Sequence, residues 1–262
     1  KKLTDGITPD VETLMDAFWP GPLTMIFKKT ERVPMATTGG LPTVAVRMPS
    51  NKIAAALIRA AGGYIAAPSA NRSGRPSPTV AKYVIEDLDG RVEMIIDGGF
   101  SAIGLESTII DLSEGELMIL RPGYVTQEKM TQVIGNVDVD RTILDASSKE
   151  APKAPGMKYR HYAPKGNLTI VEGPQEKVTA CINEKLSEGH KQGLKTGVIA
   201  TDETIEQYQA DVKRSLGSRK NEEAIAHHLF EVLRQMDDEE VQLIFTESFA
   251  CLLYTSPSPR DR

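Results

Sequence analysis

The sequence predicts an α/β protein of two domains, and three observations carry that prediction. Short apolar runs alternate with stretches of helical periodicity along most of the chain. A basic stretch without periodicity, from Ala146 to Gly166, separates two patterned halves. Beyond it, strands recur with helices between them at the spacing of parallel βαβ units. The expected organisation is a first domain over 1–145, a basic linker over 146–166, a small open α/β domain over 167–250 and a non-native tail over 251–262.

At 262 residues either half can bury a core. A hydrophobic content of 40% with 26% charged residues belongs to an ordinary globular chain. No apolar run is long enough to span a bilayer and no signal peptide is present, so no membrane role is expected. Cys181 and Cys251 are too few for a disulfide framework or a thiolate zinc site, which points to a reducing cytoplasm. The net charge of -5 gives no general pull towards nucleic acid, so an RNA contact would need a local basic patch.

Thr8 and Pro9 have the cap and first-turn arrangement of a helix that carries Val11, Leu14, Met15 and Phe18 inward. It stops at Trp19-Pro20-Gly21-Pro22, and Leu23 to Phe27 follows as a strand. Thr43 to Met48 alternates as another strand, with Thr43, Ala45 and Arg47 on one face. An arginine there serves equally as an anion ligand or as a solvated edge residue. Ser50 is the expected cap of the next helix, whose buried side is Ile53, Leu57 and Ala61. Tyr64 to Ala67 reads as a buried strand, Thr79 as the cap of a helix through Val80, Val84 and Leu88, and Met94 to Ile96 as a brief strand. Ser107 to Leu112 and Leu117 to Arg121 form a hairpin, with Ser107 at the strand mouth rather than in the core. Thr126 opens a helix through Met130, Val133 and Ile134. After the linker, strands are expected at Leu168–Glu172, Thr196–Ala200 and Val241–Thr246, with helices at Val178–Leu186 and Ala224–Met236. His227 and His228 point in different directions and read as surface residues.

The stretch from Ala66 to Thr79 is the centre of the chain's chemistry. Its serines, asparagine and arginines offer hydroxyls, an amide and guanidinium forks, the equipment for holding phosphate or carboxylate oxygens. Pro68, Pro76 and Pro78 lower the entropic cost of keeping such a loop in one shape. No P-loop, dinucleotide fingerprint, nucleophile elbow, H-x-x-x-H or C-x-x-C occurs. What remains is Thr43, Arg47, Ser69, Asn71, Ser77, Ser107 and Arg121, a set suited to positioning and stabilising an anion-rich transition state. In the linker, Tyr159, His161 and Tyr162 lie among basic residues, where aromatics either stack on a base or pack on a domain surface.

Five motifs in order resemble the YrdC-type threonylcarbamoyl-AMP synthase family. They are Phe18 to Thr24 (FWPGPLT), Thr43 to Pro49 (TVAVRMP), Ala67 to Asn71 (APSAN) with Ser73-Gly74, Glu106 to Ile109 (ESTI) and Leu120 to Gly123 (LRPG). Pro155 to Pro164 (PGMKYRHYAP) resembles the linker of the family's long, two-domain form, and Gly197 to Thr201 and Leu216 to Ser218 resemble its C-terminal domain.

The resemblance implies a YrdC-like twisted sheet with an anion-binding groove, followed by a Rossmann-like domain. It implies a nucleotidyltransferase that condenses L-threonine, bicarbonate and ATP into threonylcarbamoyl-adenylate and pyrophosphate, for modification of tRNA together with partner proteins. Arg47, Ala67 and Ser107 would hold threonine, while Thr43, Ser69, Asn71, Ser77, Arg121 and Tyr162 would serve ATP, Tyr162 closing over it from the linker. Magnesium would accompany the phosphates, and neither a covalent nucleophile nor a protein metal cage is expected. The alternatives are a non-catalytic double-stranded RNA or tRNA-binding module of the same fold and a carbamoyl-adenylate-forming relative. The family's basic K-x-R segment and P-T-E-T-like stretch do not occur ahead of Lys1, so a missing N-terminal part and an inactive fragment are expected.

Overall fold

The computed structural model describes residues 2–140 and 163–249. The tail over 251–262 and nearly all of the linker, Tyr162 included, lie outside the described residues. In chain order the elements are α1 (Pro9–Phe18), β1 (Leu23–Lys28), β2 (Thr43–Arg47), α2 (Lys52–Ala60), α3 (Ala81–Leu88), β3 (Thr108–Asp111), β4 (Met118–Arg121), α4 (Gln127–Ile134) and β5 (Asp138–Val139). Then follow β6 (Asn167–Val171), α5 (Gln175–Lys191), β7 (Thr196–Ala200), β8 (Val212–Ser215), α6 (Glu222–Asp238) and β9 (Leu243–Glu247). They group into two compact units, described residues 2–68 with 106–140 and 69–105 with 163–249. The stretch 69–105, expected inside a contiguous first domain, thus groups with the C-terminal half, because charged residues of α6 bind it.

In the first unit the sheet order is β2-β1-β3-β4-β5. The central β1 pairs antiparallel with β2 and parallel with β3. Leu23, Met25 and Phe27 of β1 meet Val11 and Leu14 of α1, Ile110, Ile119 and Met130 in one buried cluster. The Thr8 hydroxyl caps α1 by accepting from the Val11 N–H, and Thr126 caps α4 in the same way through Lys129.

Four local expectations differ from the structure. The cap of α2 is Asn51, whose Oδ1 accepts from the Ile53 and Ala54 N–H groups at 3.0 Å, and not Ser50. Ile53 and Leu57, expected inside, are each 47% exposed, because none of the described elements of this unit covers that face of α2. Tyr64–Ala67 and Met94–Ile96 form no strand, and Tyr64, Ile65, Met94 and Ile96 are exposed, since no described strand pairs with either segment. The residue before α3 is Val80, and the face that α3 buries is Tyr83 and Asp87 rather than an aliphatic stripe.

In the second unit β6-β9-β7-β8 form an all-parallel sheet. Every residue of β7 is buried, as expected for a strand covered on both faces. Gly189 of α5 lets the helix approach closely: a Cβ there would stand 2.8 Å from Leu243 and 3.0 Å from Thr196. His227 and His228 are half-buried rather than surface residues, the His227 ring tilted at 41° against Phe100 with centroids 4.6 Å apart and His228 3.3 Å from the Leu216 carbonyl.

At the carboxyl ends of these strands Glu247 is buried to 1% exposure. It accepts from the Thr201 N–H, the Thr204 hydroxyl at 2.6 Å, Gln175 at 2.8 Å and the Tyr208 hydroxyl at 3.1 Å, and it pairs with Arg219 at 2.7 Å. Burial pushes its pKa up, but the hydrogen bonds and the Arg219 charge outweigh burial and leave it below the ordinary 4.5. The carboxylate therefore stabilises the fold fully above the unfolded-state value, and its contribution is lost as pH falls through the lower folded value. Glu247→Ala should destabilise by about 3–5 kcal/mol, because it strands Arg219 and the buried donors of Thr201, Thr204 and Tyr208. Urea denaturation measures this, and Glu247→Gln should flatten the loss of stability below pH 4.5.

Candidate functional site

The strand registers of the first unit bring two arginines into one row. Thr24 of β1 pairs with Arg47 of β2 on one side and with Ile109 of β3 on the other, and Ile109 pairs with Arg121 of β4. Three strand spacings separate the two arginine Cα positions, about 14 Å, which two long side chains can close. Arg47 is exposed at the end of β2, and partial desolvation first, with the Arg121 charge second, holds its pKa below the ordinary value. A guanidinium does not lose its proton in proteins, so the two cations share one field. Among the described residues, neither forms an ion pair with a carboxylate.

Ser107 lies between them. Its hydroxyl is 2.7 Å from the Thr24 hydroxyl and accepts from Arg121 at 3.2 Å, while its carbonyl accepts from the same guanidinium at 2.8 and 3.2 Å. It is 5% exposed, so the expectation that it stands outside the core is corrected: with these partners a hydroxyl can be buried without penalty. Next to it, Glu106 Oε1 is buried with no hydrogen-bond partner among the described residues. Gly123 makes room for this turn. A Cβ there would be 2.6 Å from the Glu106 carbonyl oxygen and 2.7 Å from the Thr108 nitrogen. The Thr108 hydroxyl then locks the segment by donating to the Val125 carbonyl at 2.7 Å and accepting from the Val125 N–H at 3.0 Å.

Thr43 shares the alternation of Arg47 but starts the same strand, about 13 Å away along it, opposite Lys28. Ala67 is exposed, and no backbone hydrogen bond engages it among the described residues. A cavity of about 300 Å³ in this unit is lined by Phe18, Trp19, Pro20, Tyr124 and Lys129, and by none of the expected site residues. It offers aromatic faces and one cation, whereas hydroxyls and paired guanidiniums belong to the Arg47–Arg121 row.

Ser69, Asn71 and Ser77 lie in the second unit. Ser69 is exposed. Asn71 Nδ2 donates to the carbonyls of Arg72 and Arg75 at 3.1 Å, which bends the chain around Gly74 at φ +86°. Asn71 Oδ1 and Ser77 Oγ are both buried and lack a hydrogen-bond partner among the described residues. Sequence reasoning missed Thr24, although it lies in the quoted FWPGPLT motif. It also missed Glu106 and the carboxylate under the loop, Asp87. No group of three or more His, Cys, Asp or Glu side chains among the described residues could hold a metal ion, and no described helix is long and apolar enough to cross a membrane.

A family model described as telomere recombination matches residues 1–123, and one described as threonylcarbamoyl-AMP synthase, C-terminal domain, matches 125–255. The threonylcarbamoyl-AMP synthase of Pyrococcus abyssi is 46% identical over 245 residues, 94% of this chain and 70% of that protein. That of Bacillus subtilis is 44% identical over 248 residues, again 94% and 70%. The crystal structure of P. abyssi Sua5 complexed with L-threonine superposes with a TM-score of 0.86 at 46% identity, over 95% of this chain and 71% of that one. With its two matched segments in that order and this level of identity, the chain belongs to the two-domain threonylcarbamoyl-AMP synthase family.

Proposed function

We propose that the chain makes threonylcarbamoyl-adenylate and pyrophosphate from L-threonine, bicarbonate and ATP. The observation that carries this reading is the Arg47–Arg121 row, two guanidiniums in one field with a half-buried hydroxyl pair, Thr24 and Ser107, between their strands and no carboxylate partner described. Such a place is stabilised by an anion. Threonine brings a carboxylate and ATP brings phosphates, and a P. abyssi relative is described as complexed with L-threonine.

Arg47 takes the threonine carboxylate as a charge-assisted fork, Ser107 adds its hydroxyl, and the unengaged backbone of Ala67 completes those contacts. In the first unit Thr43 and Arg121 serve ATP; in the second, Ser69 and Ser77 carry hydroxyls suited to phosphate oxygens and Asn71 shapes their loop. The threonine amine captures the carbon of bicarbonate, with water leaving, and gives a carbamate. A carbamate oxygen then attacks the α-phosphorus, and the bond to the bridging oxygen breaks as pyrophosphate departs with its electron pair. No enzyme nucleophile enters, so the protein's contribution is positioning and charge stabilisation. A magnesium ion accompanying the triphosphate would neutralise part of the phosphate charge. The adenylate product is an activated carbamoyl donor, which we assign to an adenosine of tRNA through partner proteins.

Pyrophosphate release from the full-length protein should require ATP, bicarbonate and threonine together. Release that ignores threonine would overturn the reading. Arg47→Ala should weaken threonine binding by about 2–3 kcal/mol, the scale of hydrogen bonds to charged groups, and change ATP affinity far less. Calorimetry with each ligand checks both halves.

Gly123→Ala tests the turn behind Ser107. The added methyl must displace the Glu106–Thr108 backbone, so kcat/KM should fall by about 10²-fold, the scale of a 1 Å misplacement. Circular dichroism of the variant should show the fold retained.

A further inference from the structure

Beneath the 71–77 loop lies a charge cluster that the reading above does not use. Arg234 of α6 is fully buried at 0% exposure, and Asp87 of α3 is at 1%. The guanidinium and carboxylate meet fork to fork, Nη1 to Oδ1 at 3.1 Å and Nη2 to Oδ2 at 2.7 Å. Arg234 also donates to the Pro76 carbonyl from Nε at 2.9 Å and from Nη2 at 2.5 Å. Asp87 accepts from the Arg72 N–H at 3.0 Å and from Arg75 Nη1 at 2.5 Å. One ion pair therefore holds the loop at its entry, its middle and its exit. The Tyr83 ring lies 5.4 Å from the guanidinium and closes it from the side. The next turn of α6 continues the grip: Asp237 stands 3.8 Å from Arg75, and Asp238 accepts from Lys82 at 2.6 Å and from the Tyr83 hydroxyl at 3.1 Å. Positions 234, 237 and 238 share one helix face.

We propose that Arg234 is a positioning residue for the nucleotide, which through Asp87 and the Pro76 carbonyl holds the 71–77 loop in the shape that presents Ser77 and Asn71. The proposal rests on the reading of the chain as an ATP-using synthase.

Two features separate this role from plain stabilisation. A buried ion pair is a poor stabiliser, since well-packed apolar residues of the same volume commonly do as well or better. What it supplies is direction: a planar fork fixes a carbonyl and a carboxylate at once, which an aliphatic side chain cannot do. The loop so held is also not at its own optimum. Asn71 Oδ1, Arg75 Nε and Ser77 Oγ are buried and lack hydrogen-bond partners among the described residues. A loop free to relax would satisfy those atoms, whereas one clamped from below holds them unpaired. The loop belongs to the stretch matched by the first family model and Arg234 to that matched by the second, which gives the C-terminal segment a part in nucleotide binding.

The test uses Arg234→Met in the full-length protein, with Arg234→Lys and Asp87→Asn beside it. Amide hydrogen exchange at 71–77 should rise at least tenfold in Arg234→Met, while exchange in β7 and β9 stays at the wild-type rate. The KM for ATP should rise at least tenfold with the KM for threonine within twofold. Arg234→Lys should not restore the ATP KM, because a point charge cannot fork to two acceptors. If Arg234→Met does not fold, Asp87→Asn carries the same KM comparison. Two results overturn the proposal while leaving the synthase reading intact: an unchanged ATP KM, or both KM values rising in parallel. A wild-type protein that binds no ATP and releases no pyrophosphate overturns the reading, and the nucleotide role of Arg234 with it.

Discussion

Strand β1 pairs along both edges, antiparallel to β2 and parallel to β3, and its register decides what the first unit can bind. Side chains alternate along a strand, so a slip of one residue would turn Thr24 to the opposite face and break the row that joins Arg47 to Arg121. The register is pinned by burial, since Leu23, Met25 and Phe27 each lie in the core on the opposite face from Thr24. Packing thus fixes where Thr24 stands, Thr24 meets Ser107, and Ser107 receives the Arg121 guanidinium. The chemistry of the row is a by-product of a hydrophobic constraint on one strand. Repulsion between two cations is the cost of that arrangement, and it is the cost that an anion held between them would offset.

The second unit handles buried charge in two ways. Glu247 is surrounded by donors from four segments and is fully satisfied, so its place is structural and its pKa is low. Asp87 is equally buried, and its pKa is also lowered, with burial opposing the hydrogen bonds from Arg234 and Arg72 and the nearby cations. The difference lies in the neighbours. Among the described residues, no hydroxyl or amide is left over around Glu247, whereas around Asp87 the loop retains three buried polar atoms without hydrogen-bond partners. A closed network spends its directional bonds on itself. An incomplete one leaves some unspent.

Local signals in the sequence were legible where the physics is local. The Thr8-Pro9 start of α1, the Thr126 start of α4, the β3–β4 hairpin and the all-buried run Thr196–Ala200 follow from capping, turn chemistry and apolar periodicity within a few residues. Expectations that needed a distant partner went astray. Tyr64–Ala67 and Met94–Ile96 carry strand-like residues, yet a strand exists only where another offers its N–H and C=O groups. The apolar stripe of α2 predicted a helix correctly and a covered face wrongly, because periodicity says which face is apolar and not what meets it. Ser107 shares a strand face with Ile109 and Asp111 and so reads as standing at the strand mouth; Thr24 and Arg121, distant in sequence, supply the partners that let its hydroxyl be buried. Asp87 and Arg234 were invisible for the same reason: a charged residue reads as solvated until its partner, 147 positions away, is known.

Reactions that proceed without an enzyme nucleophile place an unusual demand on such distant pairs. When a side chain attacks the substrate, its own geometry dominates the rate and the scaffold can be approximate. When two substrates react with each other, each ångström is set by the groups that hold them, and those groups are only as fixed as what lies behind them. Behind Ser107 stand Gly123, which admits the chain, and Thr108, which ties it to Val125. Behind the 71–77 loop stands an ion pair contributed by two helices from opposite ends of the sequence. The residues that touch substrate in such a protein form short motifs and are readable in order. Those that make them effective are scattered glycines and buried charges, which acquire meaning only once the chain is folded.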